Sequence, residues 1–316
     1  MPDKKKLLLL GVLAILLASI FLFMQIDGQW SYTFPRRLKR AAAVGVAGFA
    51  VAYSSLLFQT ITNNRILTPS IIGFDALYLL IQGATIFLLG ADTTIAMNHQ
   101  GYFLFNVVIM VLFAGLLYRF LFRREDQHIY FILLAGLVCG TLFRSVFSFL
   151  LVVIDPNEYQ FIQDRMFASF NQVGGELLLM AAVFVVLVSL YSFRFIPVLD
   201  VLALGRDHAH NLGVDFKLTV NRLLMVVAVL VAVSTALVGP VTFLGLLVVN
   251  IAYSFISSYR HQILIPATFL ISMTALFGGL LLVERVFSFA ANLTIIINGI
   301  GGSYFLYRML REGKKC

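Results

Sequence analysis

Apolar stretches about twenty residues long recur from one end of this chain to the other, and a stretch of that length has few places to fold except across a bilayer. They lie near 7–25, 39–61, 71–90, 103–122, 129–153, 174–194, 218–238, 241–257, 263–283 and 292–310. Within each, apolar residues run on continuously and do not alternate every second position, which predicts helices and not a barrel. The expectation is an all-α polytopic membrane protein of about ten transmembrane helices. The seventh and eighth windows are parted only by Gly239-Pro240, so nine spans or a re-entrant pair fits the same pattern.

Composition agrees. The chain is 60% hydrophobic and 12% charged, against roughly 25% charged in ordinary globular domains. Lys4, Lys5 and Lys6 precede the first window, but its apolar run to Met24 is longer than a signal-peptide core, so it reads as a retained span. Neither a linker nor a second soluble domain interrupts the pattern, and residues 1–316 form a single transmembrane domain.

Orientation follows from the basic residues. With the N-terminus in the cytoplasm, the inner side holds Lys4–6, Arg65, Arg119, Arg123, Arg124, Arg194, Arg206, Lys217, Arg222, Arg260, Arg308, Arg311, Lys314 and Lys315. The outer side holds only Arg36, Arg37, Lys39, Arg40, Arg165 and Arg285. That asymmetry puts both termini inside. It also explains the net charge of +8 through lipid head groups, with no nucleic acid as partner. The cluster at 36–40 breaks the rule. Its arginines suit either the carboxylates of an extracytoplasmic protein, through a bidentate fork, or lipid phosphate, and the cluster alone does not choose. Glu284-Arg285 is a second outer charge site.

Three charges fall near or within apolar windows: Asp75, Arg144 and Glu176. Asp75 and Glu176 lie near span ends, whereas Arg144 is deep and predicts an interhelical salt bridge or hydrogen bond. Gly136 and Gly140, four apart in LAGLVCG, predict a close backbone approach, as do Gly299, Gly301 and Gly302. His208 and His210 stand two apart, do not share a helix face and have no cysteine beside them, so no metal site is expected. Cys139 and Cys316 make no framework. The chain contains no GxxxxGK[ST], HExxH or GxSxG, which removes its own nucleotide loop and the common hydrolase signatures.

Residues 199–250 are the most informative segment. A short polar helix from Gly205 to Gly213 lies between two apolar windows, and a Gly-Pro break follows the second of them. A polar helix wedged there has little to bury by itself and predicts a surface for a cytoplasmic partner.

These motifs resemble the permease subunits of ABC importers for ferric siderophores, haem and cobalamin, the FecCD-type family, over nearly the whole chain. LALGRDHAHNLGVD resembles the family's LG-x-x-x-A-x-x-LG coupling segment, GPVTFLGLLVVN its GPIGFVGLIVPH block, and RLKRAAAVGVAGFAVAYSSLLFQTITNNRILTPSIIGFD its RLPR helix. Lys39 replaces a proline, Arg65 follows Asn64 where proline is usual, and Val249-Asn250 stand for Pro-His. NNRILTPSIIGFD, VERVF and INGIGGSYFLY resemble a branch associated with catecholate-type siderophores.

The resemblance implies a transport subunit and not an enzyme, forming half of a translocation path in a bacterial cytoplasmic membrane. It implies no cofactor bound by the chain itself, ATP being used by two separate cytoplasmic ATPase subunits. It further implies a second permease chain, a different homologous protein, and an extracytoplasmic solute-binding protein. The binding protein is expected to dock on Arg37, Arg40 and Arg285. The ATPase is expected to hold the segment at about 199–214, through Leu204, Gly205, Arg206, Asp207, Ala209, Leu212 and Gly213. Ser54, Ser55 and Gln59, with Thr60, make the second span the expected lining of the path. A secondary transporter or channel would need internal repeats with broken helices and an embedded ion site, and an intramembrane transferase would need paired acidic or histidine motifs; the sequence displays neither clearly. Haem or cobalamin remains the alternative cargo.

Overall fold

The structure, a computed structural model, describes residues 2–24, 30–90, 98–121, 129–171, 173–288 and 291–313. Arg123, Arg124, Lys314 and Lys315, counted above toward orientation, lie outside them. The described residues form thirteen α-helices and one 3-10 turn, with no strand. In chain order the helices are α1 (Asp3–Phe23), α2 (Trp30–Thr62), α3 (Phe74–Leu89), α4 (His99–Leu121), α5 (Ile129–Val153), α6 (Pro156–Arg165) and α7 (Gly175–Phe193). There follow α8 (Ile196–Leu202), α9 (Arg206–Asn211), α10 (Phe216–Val238), α11 (Leu244–Phe255), α12 (His261–Arg285) and α13 (Leu293–Gly313).

Each apolar window of the sequence contains a helix, but they are not ten alike. Seven are long and apolar enough to cross a membrane, while Phe74–Leu89, Leu244–Phe255 and Leu293–Tyr307 are shorter apolar helices. At 1.5 Å per residue, the sixteen residues of α3 and twelve of α11 span about 24 and 18 Å. Their lengths follow from backbone breaks. The chain enters α3 through the 3-10 turn Pro69–Ile72 and Gly73, whose φ is +97°. It enters α11 after Gly239, with φ +93°, and Pro240, which has no backbone N–H to give a ladder. In the other direction, α2 is longer than its window. It begins at Trp30 and runs 33 residues through Pro35, so the Arg36–Arg40 cluster rides on the first turns of the helix and not on a loop before it.

Helices α2 and α10 pair at the centre of the molecule, with α4 and α7 along α10, and α11 and α12 along α2. Helix α1 lies on α12 and α2, its Phe21 buried against Phe277 at 5.6 Å between ring centres. Helix α5 is peripheral, packing chiefly on α3 and the 3-10 turn. Of the apolar window in α10, 72% is buried, against 22% in α5.

The glycines of LAGLVCG make a close backbone approach, though their partner is not another helix. They meet the 3-10 turn. A Cβ placed on Gly136 would lie 2.8 Å from Ile72 Cα, and one on Gly140 would lie 2.9 Å from Gly73 Cα. Of the three glycines in the last helix, only Gly301 is tight, against Phe243; Gly299 and Gly302 have open space. Gly140→Val therefore pushes backbone against backbone. It is expected to cost about 1–3 kcal/mol and lower the thermal unfolding midpoint of the purified protein in detergent. Gly278→Ala, which meets nothing within 4 Å, serves as the matched control, and equal midpoints for the two would show that the contact is not what holds the turn.

Candidate docking mouth and coupling segment

Two ends of the molecule carry the candidate sites. At one end, the first turns of α2 lie beside the last turn of α12, and between them is a cavity of about 220 Å³. Tyr32, Thr33, Arg36, Arg37, Arg40, Glu284 and Arg285 line it. Arg37, Arg40 and Arg285, expected from sequence to act together, are thus brought together. Each also has work within the chain. Arg37 Nη1 donates to the carbonyls of Phe21 at 2.9 Å and Met24 at 2.5 Å, and Arg285 Nη2 donates to Met24 at 3.3 Å. These are the free carbonyls at the end of α1, where a cation also meets the negative end of the helix dipole. Arg40 faces Glu284 at 3.4 Å. Arg36 donates to Tyr32 Oη at 3.1 Å and lies over its ring. Four guanidiniums against one carboxylate leave the cavity strongly positive, and each guanidinium has five N–H donors, so capping α1 does not exhaust them.

Beside this mouth, an opening of about 470 Å³ lies between the 166–171 loop, the end of α12 and the start of α13. The loop is pinned at both edges, Ser169 N donating to Val238 O at 2.7 Å and Ala168 N to Thr294 Oγ1 at 2.8 Å. Under it, Arg165 Nη1 and Tyr102 Oη both donate to Gln82 Oε1, at 2.9 and 2.8 Å, and Gln82 Nε2 donates to Asn106 at 3.1 Å.

At the other end, α8 and α9 form a small lobe between α7 and α10. Gly205 and Gly213, with φ +98° and +81°, bound α9 in conformations that favour glycine. Asp215 then starts α10, its carboxylate accepting from Leu218 N at 3.0 Å. Leu204 and Leu212 project on either side of α9, 57% and 62% exposed, and Arg206 and Asp207 are exposed between them. Ala209 differs from its neighbours: it is fully buried and seats the lobe instead of adding to its surface.

Sequence reading did not find what anchors this lobe. Asp200 Oδ1, on α8, accepts from the backbone N of His261 at 2.8 Å and sits 2.6 Å from His261 Nδ1. The other ring nitrogen lies 2.8 Å from Thr60 Oγ1. One buried histidine therefore joins α8, the start of α12 and the end of α2. The three residues are too far apart in sequence for any motif to connect them. Nearby, Asn250 Nδ2 donates to Arg65 O at 2.9 Å, fixing α11 to the loop after α2.

The expected path lining is differently placed. Ser54, Ser55 and Gln59 are buried within this chain, as is Thr60. The reason is the central α2–α10 pair together with α11, where a Cβ on Gly245 would overlap Ser55 Oγ. In this conformation these residues do not face a surface that a second chain could share. Arg144 makes no ion pair or hydrogen bond among the described residues, contrary to the expected interhelical bridge. Asp75 accepts from Thr242 Oγ1 at 2.9 Å and Glu176 from Gln100 Nε2 at 2.6 Å. His208 and His210 are exposed, and no cluster of metal-binding side chains occurs among the described residues.

The comparisons bear on the whole chain. The FecCD transport family matches residues 6–311. The petrobactin import system permease protein YclO of Bacillus subtilis (strain 168) is 50% identical over 314 residues, covering 99% of both chains. FatC of Bacillus anthracis, also a petrobactin import system permease protein, is 35% identical over 277 residues, 88% of this chain and 78% of that one. Among solved structures, a metal-chelate type ABC transporter in an inward-facing conformation superposes with a TM-score of 0.85 at 22% identity, covering 98% of this chain and 99% of that chain.

If the histidine junction holds the lobe in place, Asp200→Ala leaves a buried imidazole without its partner, a loss of roughly 1–3 kcal/mol. Tryptic cleavage after Arg206 is then expected to accelerate, with Asp200→Asn, which keeps an acceptor oxygen, close to the parent. Cleavage at one rate in all three proteins would dismiss the junction as an anchor.

Proposed function

Because the chain belongs to the FecCD transport family, we propose that it is the membrane-spanning permease subunit of an ATP-driven importer for a ferric siderophore of the petrobactin class. The observation that carries this reading is the 50% identity to a petrobactin import permease across 99% of both chains. Haem is disfavoured as cargo by the same measure, the hemin permease HmuU of Yersinia pestis being 24% identical.

The relatives also speak to assembly. Bacillus subtilis has two petrobactin permease proteins, YclO and YclN, which are 50% and 26% identical to this chain. Bacillus anthracis has FatC and FatD at 35% and 26%. Two dissimilar permeases for one cargo in one organism support a heterodimer, with this chain taking the place of YclO and FatC. Each chain then supplies half of the path in the bacterial cytoplasmic membrane.

The division of labour follows from the two ends. An extracytoplasmic binding protein delivers the chelate, and its carboxylates pair with Arg37, Arg40 and Arg285 around the outer cavity. In the cytoplasm, two ATPase subunits hydrolyse ATP, and one grips the lobe by Leu204 and Leu212, with Arg206 and Asp207 fixing its register. Gly205 and Gly213 give the lobe its shape. No cofactor is needed on this chain, because the only covalent chemistry is on the ATPase.

The test is ATP-dependent uptake of iron-loaded petrobactin by vesicles holding the assembled complex. Arg37→Glu with Arg40→Glu is expected to reduce uptake by about tenfold or more, since truncating a desolvated charge pair costs about 2–5 kcal/mol. Reversing the facing acidic residues of the binding protein should restore part of it, which a merely misfolded variant would not allow. Full uptake by the double variant would return Arg37 to capping α1 and Arg40 to pairing with Glu284, and uptake without ATP would point instead to a secondary transporter.

A further inference from the structure

Helix α5 buries little of its apolar window, 22%, as α7 does, and its exposed surface carries polar side chains at mid-helix, with Leu134, Leu137, Val138 and Val152 exposed on either side of them. Phe131, Leu142, Val146, Phe149 and Val153 form a wholly apolar stripe. Thr141, Arg144, Ser145 and Ser148 are also exposed, and positions i, i+3, i+4 and i+7 share one helix face. The polar stripe is not at an end. Thr141 is the midpoint of α5, which runs Ile129–Val153, and Arg144 is less than one turn beyond it. The guanidinium starts about two and a half turns from the nearer helix end, too far for its side chain to reach the interface in full.

An arginine held at that depth against lipid costs about 2.5–3.5 kcal/mol on insertion scales, and such residues face a partner or a water-filled passage. Within this chain Arg144 has no such partner among the described residues. The carboxylate whose field it feels is Asp75, which lies behind α5 on α3, beyond ion-pair distance, and accepts from Thr242. The hydroxyls of Thr141 and Ser145 donate back to their own helix, to Leu137 O at 2.9 Å and Thr141 O at 3.0 Å. They leave acceptor oxygens, not donors, on the surface. That combination is a poor face for hydrocarbon and a mild one for a solute: one fixed cation, surrounded by groups that water can replace without loss.

We propose that Arg144, with Thr141, Ser145 and Ser148, is a cargo contact inside the translocation path, a weak mid-membrane subsite for an anionic iron chelate. The proposal rests on the importer reading above and names the residues that its path uses. Ferric complexes of catecholate and carboxylate donors carry net negative charge, because the charges of the donor oxygens exceed that of the metal. A guanidinium fork fits paired anionic oxygens. A single cation among hydroxyls attracts such a complex without trapping it, which a passage requires. The apolar stripe beside it is then the part of α5 that meets lipid or the second permease.

The experiment uses the assembled permease pair with its ATPase subunits in lipid nanodiscs, with Cys139 and Cys316 of this chain replaced by serine and Ser148→Cys introduced. Negatively and positively charged methanethiosulfonate reagents are applied in turn. The thiol is expected to react with both, faster with the anionic reagent by about tenfold through local concentration near the cation. Arg144→Gln should abolish that preference. In vesicles, Arg144→Gln should lower uptake of the anionic ferric chelate about tenfold, as expected for one charge-assisted bond. Arg144→Lys should keep most of it, and binding-protein affinity should be unchanged in both. A thiol that neither reagent reaches, labelling without charge preference, or unaltered uptake in Arg144→Gln overturns the proposal. So does loss of the second permease from purified Arg144→Gln complexes, which would make Arg144 an interface ion pair. The labelling is read without cargo, so a parent complex that imports no iron would refute the importer reading while the labelling still decides whether the polar stripe faces water.

Discussion

A helix broken inside a membrane has to be covered by protein, because lipid cannot accept or donate a hydrogen bond. This chain is broken twice, after α2 and after α10, and much of its packing follows from sealing those breaks. Between Thr62 and Phe74 the backbone closes on itself where it can, with Ile71 N donating to Thr68 O and Gly73 N to Ser70 O. Asn250 reaches over to take the carbonyl of Arg65. The rest is sealed sterically. Gly136 and Gly140 let α5 lie directly on the turn, backbone on backbone. At the second break, Gly239 is in contact with Phe167 and Ala168, and Ser169 N takes the carbonyl of Val238.

The first of these seals fixes the position of α5. Held by its glycine face, it turns its other faces outward, and Arg144 sits on one of them because the buried side is already filled by Phe147 and Leu150. The central helices have no such freedom. Helix α2 is enclosed by α10, α11 and α12, so its serines, threonines and Gln59 are internal. The side-chain amide of Gln59 has no hydrogen-bond partner among the described residues, an unusual condition for a buried amide. The neighbouring hydroxyls are served within their own helix, Thr60 donating to Leu56 O and Thr62 to Phe58 O.

Continuous apolar windows made the helical class and the approximate helix positions legible, since twenty apolar residues specify a length and a solvent. The breaks were legible as Gly239-Pro240 and, less directly, as Pro69 and Gly73. Their effect on helix length was not, because it depends on what covers them. The burial of Ser54, Ser55 and Gln59 within this chain was not legible for a related reason. Polar residues on an apolar helix identify a special face, but a face turned inward by packing and one turned toward a path have the same sequence. Arg144 was visible as a deep charge, whereas its having no ion pair or hydrogen bond among the described residues is a fact of three dimensions. The arginine mouth was half legible: the charges broke the inside rule, but only the fold brings residue 285 beside residues 37 and 40. The Asp200–His261–Thr60 junction had no local signal at all.

The same two helices connect both ends of the molecule. Helix α2 carries Arg37 and Arg40 near its start and Thr60 near its end; α12 carries His261 at its start and Glu284 and Arg285 at its end. They are joined at the mouth by Arg40 and Glu284, midway by Ser272 Oγ donating to Gly48 O at 3.0 Å, and at the lobe by His261 and Thr60. A displaced lobe therefore cannot move α12 without loading α2, and the arginine-lined cavity between them changes shape if either helix tilts. Spatial continuity of this kind is not itself coupling, which requires two arrangements of comparable energy. It does limit what the two arrangements can differ in. Because interiors are packed too densely to deform smoothly, α2 and α12, joined at three levels, are held to move as one body.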